Sequence, residues 1–339
     1  MKKYLLPDKG KFYKANLHCH STISDGSLTP EELKKLYKNM GYSVLAYTDH
    51  DVLLSHQDLT DDEFLALNGF EFEMNERKDA EYFDRKSTHI CLIALEPDNL
   101  KQICYNREKS YFIGNGAEYK EQIQFYEDEP DYYRIHTCEE VSHVIKTGRE
   151  RGFYVIYNHP TWSQDNYEDY IGYEHMHAME IANNSCQMLG YEEYNARVYD
   201  DMLRAGKQIY CVAADDNHNR MNDSGGAWVM IKADKLDYRT ITKALVDGNF
   251  YSSQGPEIKE LWIEDGHLHI KTSEAERILF CFGNRRNRAV LANEGETICE
   301  ASVKLSKKQN YVRVTVIDHQ GRMANTNAYF IQEEDVQED

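Results

Sequence analysis

The sequence has 339 residues, of which 41% are hydrophobic, and it carries a formal net charge of −19. This length predicts either two domains or one large α/β barrel, and no apolar run approaches the ~20 residues that a membrane-spanning helix needs. The acidic surface disfavours general binding to nucleic-acid backbones. Eight cysteines without a C-x-x-C spacing, and an N-terminal apolar run that ends after three residues at Pro7, predict a cytoplasmic protein with reduced thiols.

Short apolar runs alternate with amphipathic segments in the first half of the chain, which is the pattern of parallel βα units. The clearest helix is predicted over 27–41. There, Thr29 and Glu32 form a T-x-x-E capping box, Pro30 suits the first turn and Gly41 ends the helix. The remaining elements are helices within 138–152 and 194–207, and strands within 14–20, 43–51, 64–73, 88–95, 152–160, 178–184 and 208–216.

Two segments break this pattern. Residues 97–138 are rich in Tyr, Asn, Glu and Lys without a clean period, so we interpret them as an insertion that either covers a site or forms a surface excursion. After Ser252–Pro256, apolar residues alternate with period two on either side of an expected Asp265-Gly266 turn. We therefore predict an α/β domain over 1–255 and a small antiparallel β-sandwich-like domain over 256–339 that contributes no site residue.

Residues that can bind metals recur where the predicted strands end. His18 and His20 lie two residues apart on the first strand, so both imidazoles point to one side while Cys19 points away. Asp25 follows on a loop that turns at Gly26. The other strand ends carry His50, Glu71 with Glu73, His89, His159, and Asp216 with His218. In an α/β barrel such ends converge on one mouth, and imidazole with carboxylate suits Zn, Fe or Mn, so we predict a metal site.

These motifs also occur in a recognisable order. The segments NLHCHSTISDGSLTPEEL, YTDHD, GFE, THI, NHP and DDNH together resemble the PHP (polymerase and histidinol phosphatase) superfamily of metal-dependent hydrolases. The segment GGAWVMIKADKLDYRTITKALVDGNFYSSQGP is similar to the CehA-like branch of that superfamily. The resemblance covers about residues 13–255. It implies a distorted (β/α)7 TIM-like barrel with two or three divalent ions, Mn, Fe or Zn, at its mouth.

The resemblance also implies which side chains share an ion. The first ion would be bound by His18, His20, Glu71 and Asp216. Glu71 would bridge to a second ion, bound by His89 and His159. The third ion would be bound by Asp25, His50 and His218.

Some of these assignments have alternatives. Glu73 lies on the same strand face as Glu71, although the G-x-E pattern of the family favours Glu71. The D-x-H spacing that ends at His218 favours Asp216 over its neighbour Asp215. Asp49 and Asp51 either orient imidazoles from behind or cap the next helix. The H-x-H pairs at 175–177 and 267–269 lack accompanying carboxylates and are not expected to bind metal.

A multinuclear site of this kind implies hydrolysis by a metal-bridged hydroxide, here on ions bound by Glu71, His159 and Asp216. A small phosphate ester is the expected substrate, because several cations can neutralise a phosphate dianion. The alternatives are a hydrolase of a carbon ester, carbamate or amide, and a noncatalytic metal-binding protein. Neither a membrane nor a nucleic acid is an expected partner.

Three arginines near the motifs are candidates for binding the substrate phosphate: Arg220, Arg134 and Arg77. The alternative for each is a solvated surface charge. Trp162 follows the NHP motif at a place where relatives of this family carry a basic residue. That departure admits a more apolar substrate.

Overall fold

The computed structural model describes residues 2–76, 81 and 84–336. None of the helices in this described part is long and apolar enough to cross a membrane. Up to residue 255, the elements in chain order are β1 (Lys3–Tyr4), β2 (Lys11–Asn16), α1 (Pro30–Asn39), β3 (Val44–Tyr47), β4 (Leu65–Asn75), β5 (Ser87–Ala94), β6 (Lys101–Gln102), β7 (Gln124–Phe125), α2 (Cys138–Glu150), β8 (Phe153–Tyr157), α3 (Tyr167–Gly172), β9 (Ala178–Asn183), α4 (Asn184–Met188), α5 (Ala196–Arg204), β10 (Tyr210–Ala214), β11 (Trp228–Ala233), α6 (Tyr238–Val246) and β12 (Phe250–Ser253).

The remaining elements are strands: β13 (Ile258–Glu264), β14 (His267–Ala275), β15 (Arg277–Cys281), β16 (Arg288–Leu291), β17 (Ile298–Lys304), β18 (Tyr311–Ile317), β19 (Met323–Thr326) and β20 (Tyr329–Phe330). Short 3₁₀ turns lie at Gln57–Leu59, Gly116–Gln122 and Glu333–Asp335. The described part of the chain is therefore a mixed α/β fold.

One large sheet runs through most of the molecule, in the order β10-β9-β8-β5-β4-β3-β2-β11-β12-β19-β18-β15-β16. Neighbouring strands are parallel from β2 to β4 and from β8 to β10. β5 is antiparallel to both β4 and β8, so the prediction of parallel βα units is wrong for this strand. The connection over 76–86 is too short for the helical crossover that a parallel pair requires.

The antiparallel β5 has a consequence for the ligand-type residues. His89, near the start of β5, lies directly opposite Glu73, near the end of β4. The start of this reversed strand therefore reaches the same edge as the carboxyl ends of its parallel neighbours.

The two ends of this strand series also meet. Beyond β2 and β10 the two segments run side by side, and Cys19 pairs with Asn217 in a parallel bridge. The Asp216 amide donates to the His18 carbonyl at 3.0 Å, and the His20 amide donates to the Asn217 carbonyl at 3.1 Å. The first and last of the seven strands β2, β3, β4, β5, β8, β9 and β10 are thereby joined at the edge that carries the histidines.

The two faces of β4 explain how the site residues are presented. Leu65 and Leu67 belong to one buried apolar cluster, and Glu71 continues the same face of the strand toward its end. Phe70 and Phe72 alternate with them and pack in a second cluster against α2. The site thus lies at the end of an apolar interior that extends along the strands.

Local sequence signals are realised at α1. Thr29 Oγ1 accepts a hydrogen bond from the Glu32 amide at 3.3 Å, and Glu32 Oε2 accepts one from the Thr29 amide at 2.9 Å. Gly41 follows the helix with φ of 78°, a conformation that favours glycine. The predicted capping box is confirmed. Cys19 is buried beneath this helix, packed in an apolar cluster with Leu33.

The segment over 97–138 forms the short parallel pair β6 and β7 and the 3₁₀ turn at Gly116–Gln122. It packs on the loop that carries Asp25: the Asn115 amide donates to the Ser24 carbonyl at 2.7 Å, and the Asn115 side chain donates to the Thr22 carbonyl at 3.0 Å. The insertion therefore supports the site loop.

The strands after residue 255 form two layers around their own apolar cluster. One layer is the sheet β1-β13-β14-β17, and the other is the far end of the large sheet, where β19 pairs with β12. The Asp265-Gly266 turn joins β13 to β14, and the N-terminal β1 pairs with β13. The proposed boundary near residue 255 is thus crossed by strand pairing on both sides, and it stays a prediction.

Candidate metal centre

The structure brings together all nine side chains that the sequence singled out as metal ligands. Groups of three or four donor atoms lie within 4.8 Å of one another, and the residues in them are mostly buried. The nine are His18, His20, Asp25, His50, Glu71, His89, His159, Asp216 and His218.

Glu71 lies at the middle of this cluster. One carboxylate oxygen, Oε1, is 3.2 Å from His18 Nε2, 3.1 Å from His89 Nδ1 and 3.3 Å from His159 Nε2. The other, Oε2, is 3.1 Å from His50 Nδ1 and 3.4 Å from His20 Nε2. A carboxylate in this position can bridge two ions.

Asp25 faces a second group of imidazoles. Its Oδ1 lies 3.3 Å from His218 Nε2, 3.8 Å from His50 Nε2 and 4.0 Å from His20 Nδ1. The loop that carries Asp25 turns at Gly26, where a Cβ would lie 2.4 Å from the His20 carbonyl oxygen, so only glycine fits.

Asp216 completes the cluster from the end of β10. Its Oδ1 lies 3.2 Å from His18 Nε2 and 3.0 Å from His20 Nε2, and its backbone has φ of 52°. The Asn183 side chain donates to its Oδ2 at 3.1 Å. A left-handed backbone is uncommon outside glycine, and strain of this kind concentrates at functional sites.

The grouping differs from the sets implied by the resemblance. The resemblance places His20 with the first ion, but in the structure a His20 nitrogen also lies close to donor atoms of Asp25, His50 and His218. His159 groups with His18 and Asp216, while His89 groups with Glu71 and His50. The same residues are involved, but their division among individual ions stays a prediction.

The alternatives left open by the sequence take separate places. Glu73 Oε2 lies 3.5 Å from His89 Nε2, at the margin of the cluster. Asp215 points away and accepts hydrogen bonds from the amides of Gly225, Gly226 and Ala227. It therefore orders the chain that follows the site.

The two aspartates that flank His50 support neighbouring segments. Asp49 accepts hydrogen bonds from the amide and hydroxyl groups of Ser21 and Ser24, at 2.7 to 3.0 Å, and so fixes the Asp25 loop. Asp51 pairs with Arg134. The main contacts of Asp49 and Asp51 are therefore with Ser21, Ser24 and Arg134, so neither predicted role, orienting an imidazole or capping a helix, accounts for them.

Three buried polar atoms of the cluster make no hydrogen bond of good geometry: His20 Nδ1, and the pair His50 Nδ1 and Glu71 Oε2, which lie 3.1 Å apart. Buried polar atoms are nearly always hydrogen-bonded, and exceptions call for an explanation. Nitrogen and oxygen donors in this number are the ligands that divalent transition metals prefer. The residues present thus fit metal ions, which would supply the missing partners.

Burial and the neighbouring charges shift the pKa values of the side chains in this cluster. Burial acts to raise the pKa of Glu71, but the surrounding histidines outweigh it and hold that pKa well below its usual range. Burial acts to lower the pKa values of His20 and His89, but nearby carboxylates outweigh this effect. Asp216 and Glu71 raise the pKa of His20 to about 10, and Glu71 and Glu73 raise the pKa of His89 to about 10. Burial together with charged His20 lowers the pKa of His50 to about 4. The carboxylates are thus ionised and available to cations at neutral pH.

Three buried residues that contact the cluster were not singled out in the sequence. Cys91 forms a group with His18 and Glu71. Glu180 is buried in the middle of β9; its Oε1 accepts a hydrogen bond from His18 Nδ1 at 2.7 Å, and its Oε2 accepts one from the His159 amide at 2.9 Å. Asn158 donates to Glu71 Oε1 at 2.7 Å. The one available signal was a charged residue inside the otherwise apolar run AMEIAN.

The three candidate arginines have different outcomes. Arg220 is exposed near the cluster and donates to the Asp25 carbonyl at 2.5 Å and to Asp25 Oδ2 at 3.2 Å. Arg134 is buried; it pairs with Asp51, donates to the Glu73 carbonyl at 2.7 Å and stacks on Phe72. These contacts stabilise the end of β4, and they leave the Arg134 guanidinium turned away from the solvent side where a substrate would bind. Arg77 lies outside the described residues.

A cavity of about 590 Å³ opens over the cluster. Its lining contains seven of the nine ligand-type side chains, those other than His18 and His20, and its wall includes Trp162, whose ring meets those of His89 and His159 edge-on at 4.9 Å. A small molecule can therefore reach the cluster from solvent.

Comparison with known proteins gives short or distant similarities. No family model matches the sequence. A 5′-3′ exoribonuclease from Haemophilus influenzae is 52% identical over 40 residues, which span 12% of this chain and 15% of that enzyme.

Three solved structures are similar to this chain at low sequence identity. The first, from Bacteroides vulgatus, is a two-domain protein containing a predicted PHP-like metal-dependent phosphoesterase; identity is 14%, coverage 97% of this chain and 98% of that one, and the TM-score 0.45. The second is a candidate metal-dependent phosphoesterase from Bifidobacterium adolescentis, with 15% identity, coverage of 72% and 98%, and a TM-score of 0.40. The third is an amidohydrolase from Chromobacterium violaceum with bound sulfate and no metal, with 16% identity, coverage of 70% and 96%, and a TM-score of 0.38.

Proposed function

We propose that the protein is a metal-dependent hydrolase of phosphate esters, with two or three divalent ions, Mn, Fe or Zn, at the described cluster. The observation that carries this proposal is the convergence of nine side chains with nitrogen or oxygen donors, Glu71 and eight others around it, with three of their buried atoms left without a hydrogen bond of good geometry. A purely structural cluster would satisfy those atoms with protein partners.

Ions bound here would activate a water molecule as the nucleophile and neutralise charge on the substrate. The protein side chains supply the remaining functions. Glu180 fixes the orientation of His18 through Nδ1 and fixes the backbone of His159. Arg220, at the rim, can donate to a phosphate oxygen once its contact with Asp25 is exchanged.

We further propose that the seven strands β2, β3, β4, β5, β8, β9 and β10 form a distorted barrel of the PHP type, CehA-like branch, with a domain boundary near residue 255. The pairing of Cys19 with Asn217, which joins the first and last of these strands, supports closure. All eight cysteines are free, which supports a location in the reducing cytoplasm.

Hydrolysis of a carbon ester, carbamate or amide is the second candidate. It is favoured by the lining of the cavity, where Arg220 is the one arginine or lysine among the described residues and Trp162 occupies the wall. A neutral substrate needs less positive charge than a phosphate does. A noncatalytic metal-binding role is the third candidate.

The test compares p-nitrophenyl phosphate with p-nitrophenyl acetate, with added Mn²⁺ or Zn²⁺, using the wild-type protein and Glu71→Gln. The proposal expects metal-dependent release of nitrophenol from the phosphate and loss of that activity in the variant. Hydrolysis of the acetate alone would support the second candidate. Cleavage of neither, with metal bound, would support the noncatalytic role.

A further inference from the structure

The mouth of the cavity over the metal centre is apolar. Four separate segments each contribute one apolar side chain to it: Ile113 from the insertion, Trp162 after β8, Leu189 after α4 and Met221 after β10. Leu189 is 56% exposed and Met221 is 37% exposed. Exposed apolar side chains that gather at the rim of a polar site, rather than scattering singly, indicate a surface that binds a ligand.

The indole of Trp162 is held in place next to the ligand-type histidines. The Trp162 amide donates to Glu193 Oε2 at 2.8 Å, and the Thr161 amide donates to Glu193 Oε1 at 3.1 Å. Glu193 is itself fully buried. The apolar wall therefore begins beside His89 and His159 and continues outward to Leu189 and Met221.

The charges in the cavity limit which phosphates fit. Arg220 is the one arginine or lysine in the described lining, and it already contacts Asp25. The carboxylates of Asp25, Glu71, Asp216 and Asp223 line the same cavity. Bound ions would offset the carboxylates near the centre, but no second group of lysines or arginines is present in this lining to bind another phosphate. A substrate with several phosphates would meet uncompensated negative charge.

We propose that the substrate is a phosphate monoester whose organic group is apolar, an alkyl chain or an aromatic ring, bound by Trp162, Leu189 and Met221. This inference rests on the proposed function, because it assumes that the phosphate binds at the metal centre. It assigns the apolar side chains as specificity residues and disfavours polyanionic substrates.

The test uses esters of matched leaving-group chemistry. Ethyl phosphate and hexyl phosphate both release a primary alkanol, so a difference in kcat/KM reports binding of the chain rather than intrinsic reactivity. Each buried methylene is worth about fourfold, so four partly buried ones predict a preference for the hexyl ester of at least about tenfold. Binding of ethylphosphonate and hexylphosphonate to the metal-loaded protein, measured by calorimetry, gives the same comparison without turnover.

Variants assign the effect to the rim. Leu189→Ser with Met221→Ser is expected to reduce the hexyl preference to about threefold or less in both assays, while leaving metal content unchanged. Leu291→Ser, which alters a leucine that is 62% exposed in β16, is the matched control and is expected to keep the wild-type preference.

Equal kcat/KM values for the two esters with equal phosphonate affinities, or a preference for a nucleoside 3′,5′-bisphosphate over hexyl phosphate, would overturn the inference. If no phosphate ester is cleaved but hexylphosphonate still binds more tightly than ethylphosphonate, the proposed function fails while the apolar subsite stands. The two failures are therefore distinguishable.

Discussion

Glu180 offers a test of the metal centre that removes no ligand. Its two carboxylate oxygens accept hydrogen bonds from His18 Nδ1 at 2.7 Å and from the His159 amide at 2.9 Å, and the Asn183 side chain donates to it at 2.9 Å. In Glu180→Gln, one oxygen becomes an NH2 group. Whichever way the amide is turned, a donor then faces either the His18 ring or the His159 amide.

The substitution removes the carboxylate that orients the imidazole of His18, one of the proposed metal ligands. Removing such a partner weakens metal affinity or activity by about 10- to 100-fold, which corresponds to about 1.4–2.8 kcal/mol. We therefore expect the dissociation constant for Mn²⁺ or Zn²⁺ to rise by that factor in Glu180→Gln. Competition with a chelating dye measures the constant, and circular dichroism checks that the fold is retained.

Asp318→Asn is the matched control for the loss of a buried carboxylate. Asp318 lies far along the chain, in the turn between β18 and β19, and its Oδ1 accepts hydrogen bonds from the amides of Gln320 and Arg322 at 2.9 Å. We expect this variant to lose stability without losing metal affinity. Equal metal affinity in wild type and Glu180→Gln would refute the assigned role of Glu180, and Glu180→Asp, which keeps the charge, should fall between the two.

Three further predictions concern the site, its pH dependence and the packing of the tail. His159→Ala should abolish most turnover of p-nitrophenyl phosphate and leave the thermal transition nearly unchanged, because the backbone bond to Glu180 stays; a wild-type kcat would contradict the assignment of His159. In the metal-free protein, the raised pKa of His20 and His89, about 10 against an ordinary 6.5, makes their contribution to stability complete below pH 6.5 and lost as pH rises toward 10. Tm after chelation should therefore fall over this range, and by less in His89→Asn; equal slopes in both proteins would count against the pairing. Arg313→Ala should lower the free energy of unfolding by about 3 kcal/mol without changing metal content, because the buried Arg313 in β18 lies 2.7 Å from the Asp200 carboxylate in α5. A loss of less than about 1 kcal/mol in a denaturant titration would argue that the tail packs independently of this pair.

Local signals in the sequence predicted local structure well. The capping box of α1 and the Asp265-Gly266 turn depend on side chains within a few residues, and both are found in the structure. The spacing of His18 with His20 likewise depends on the alternation of side chains along an extended segment, whereas Asp216 has a left-handed backbone that such alternation does not predict.

Features that depend on distant parts of the chain were not accessible in the same way. The strand β5 runs antiparallel to β4, and an apolar run in a sequence does not by itself reveal the direction of its strand. The pairing of Arg134 with Asp51 joins the insertion to the end of β3, and the pairing of β1 with β13 joins the N-terminus to the tail. Glu180 was missed for a similar reason, because its partners lie on other strands.

The central claim is that the nine donors bind divalent ions. Anomalous diffraction from crystals of protein purified without chelator, recorded on both sides of the Mn, Fe and Zn absorption edges, tests it most directly. We predict at least two anomalous peaks: one among His18, His159 and Asp216, and another among His20, Asp25, His50 and His218. A map with no anomalous peak within bonding distance of these side chains, in crystals also soaked with Mn²⁺ or Zn²⁺, would contradict the account.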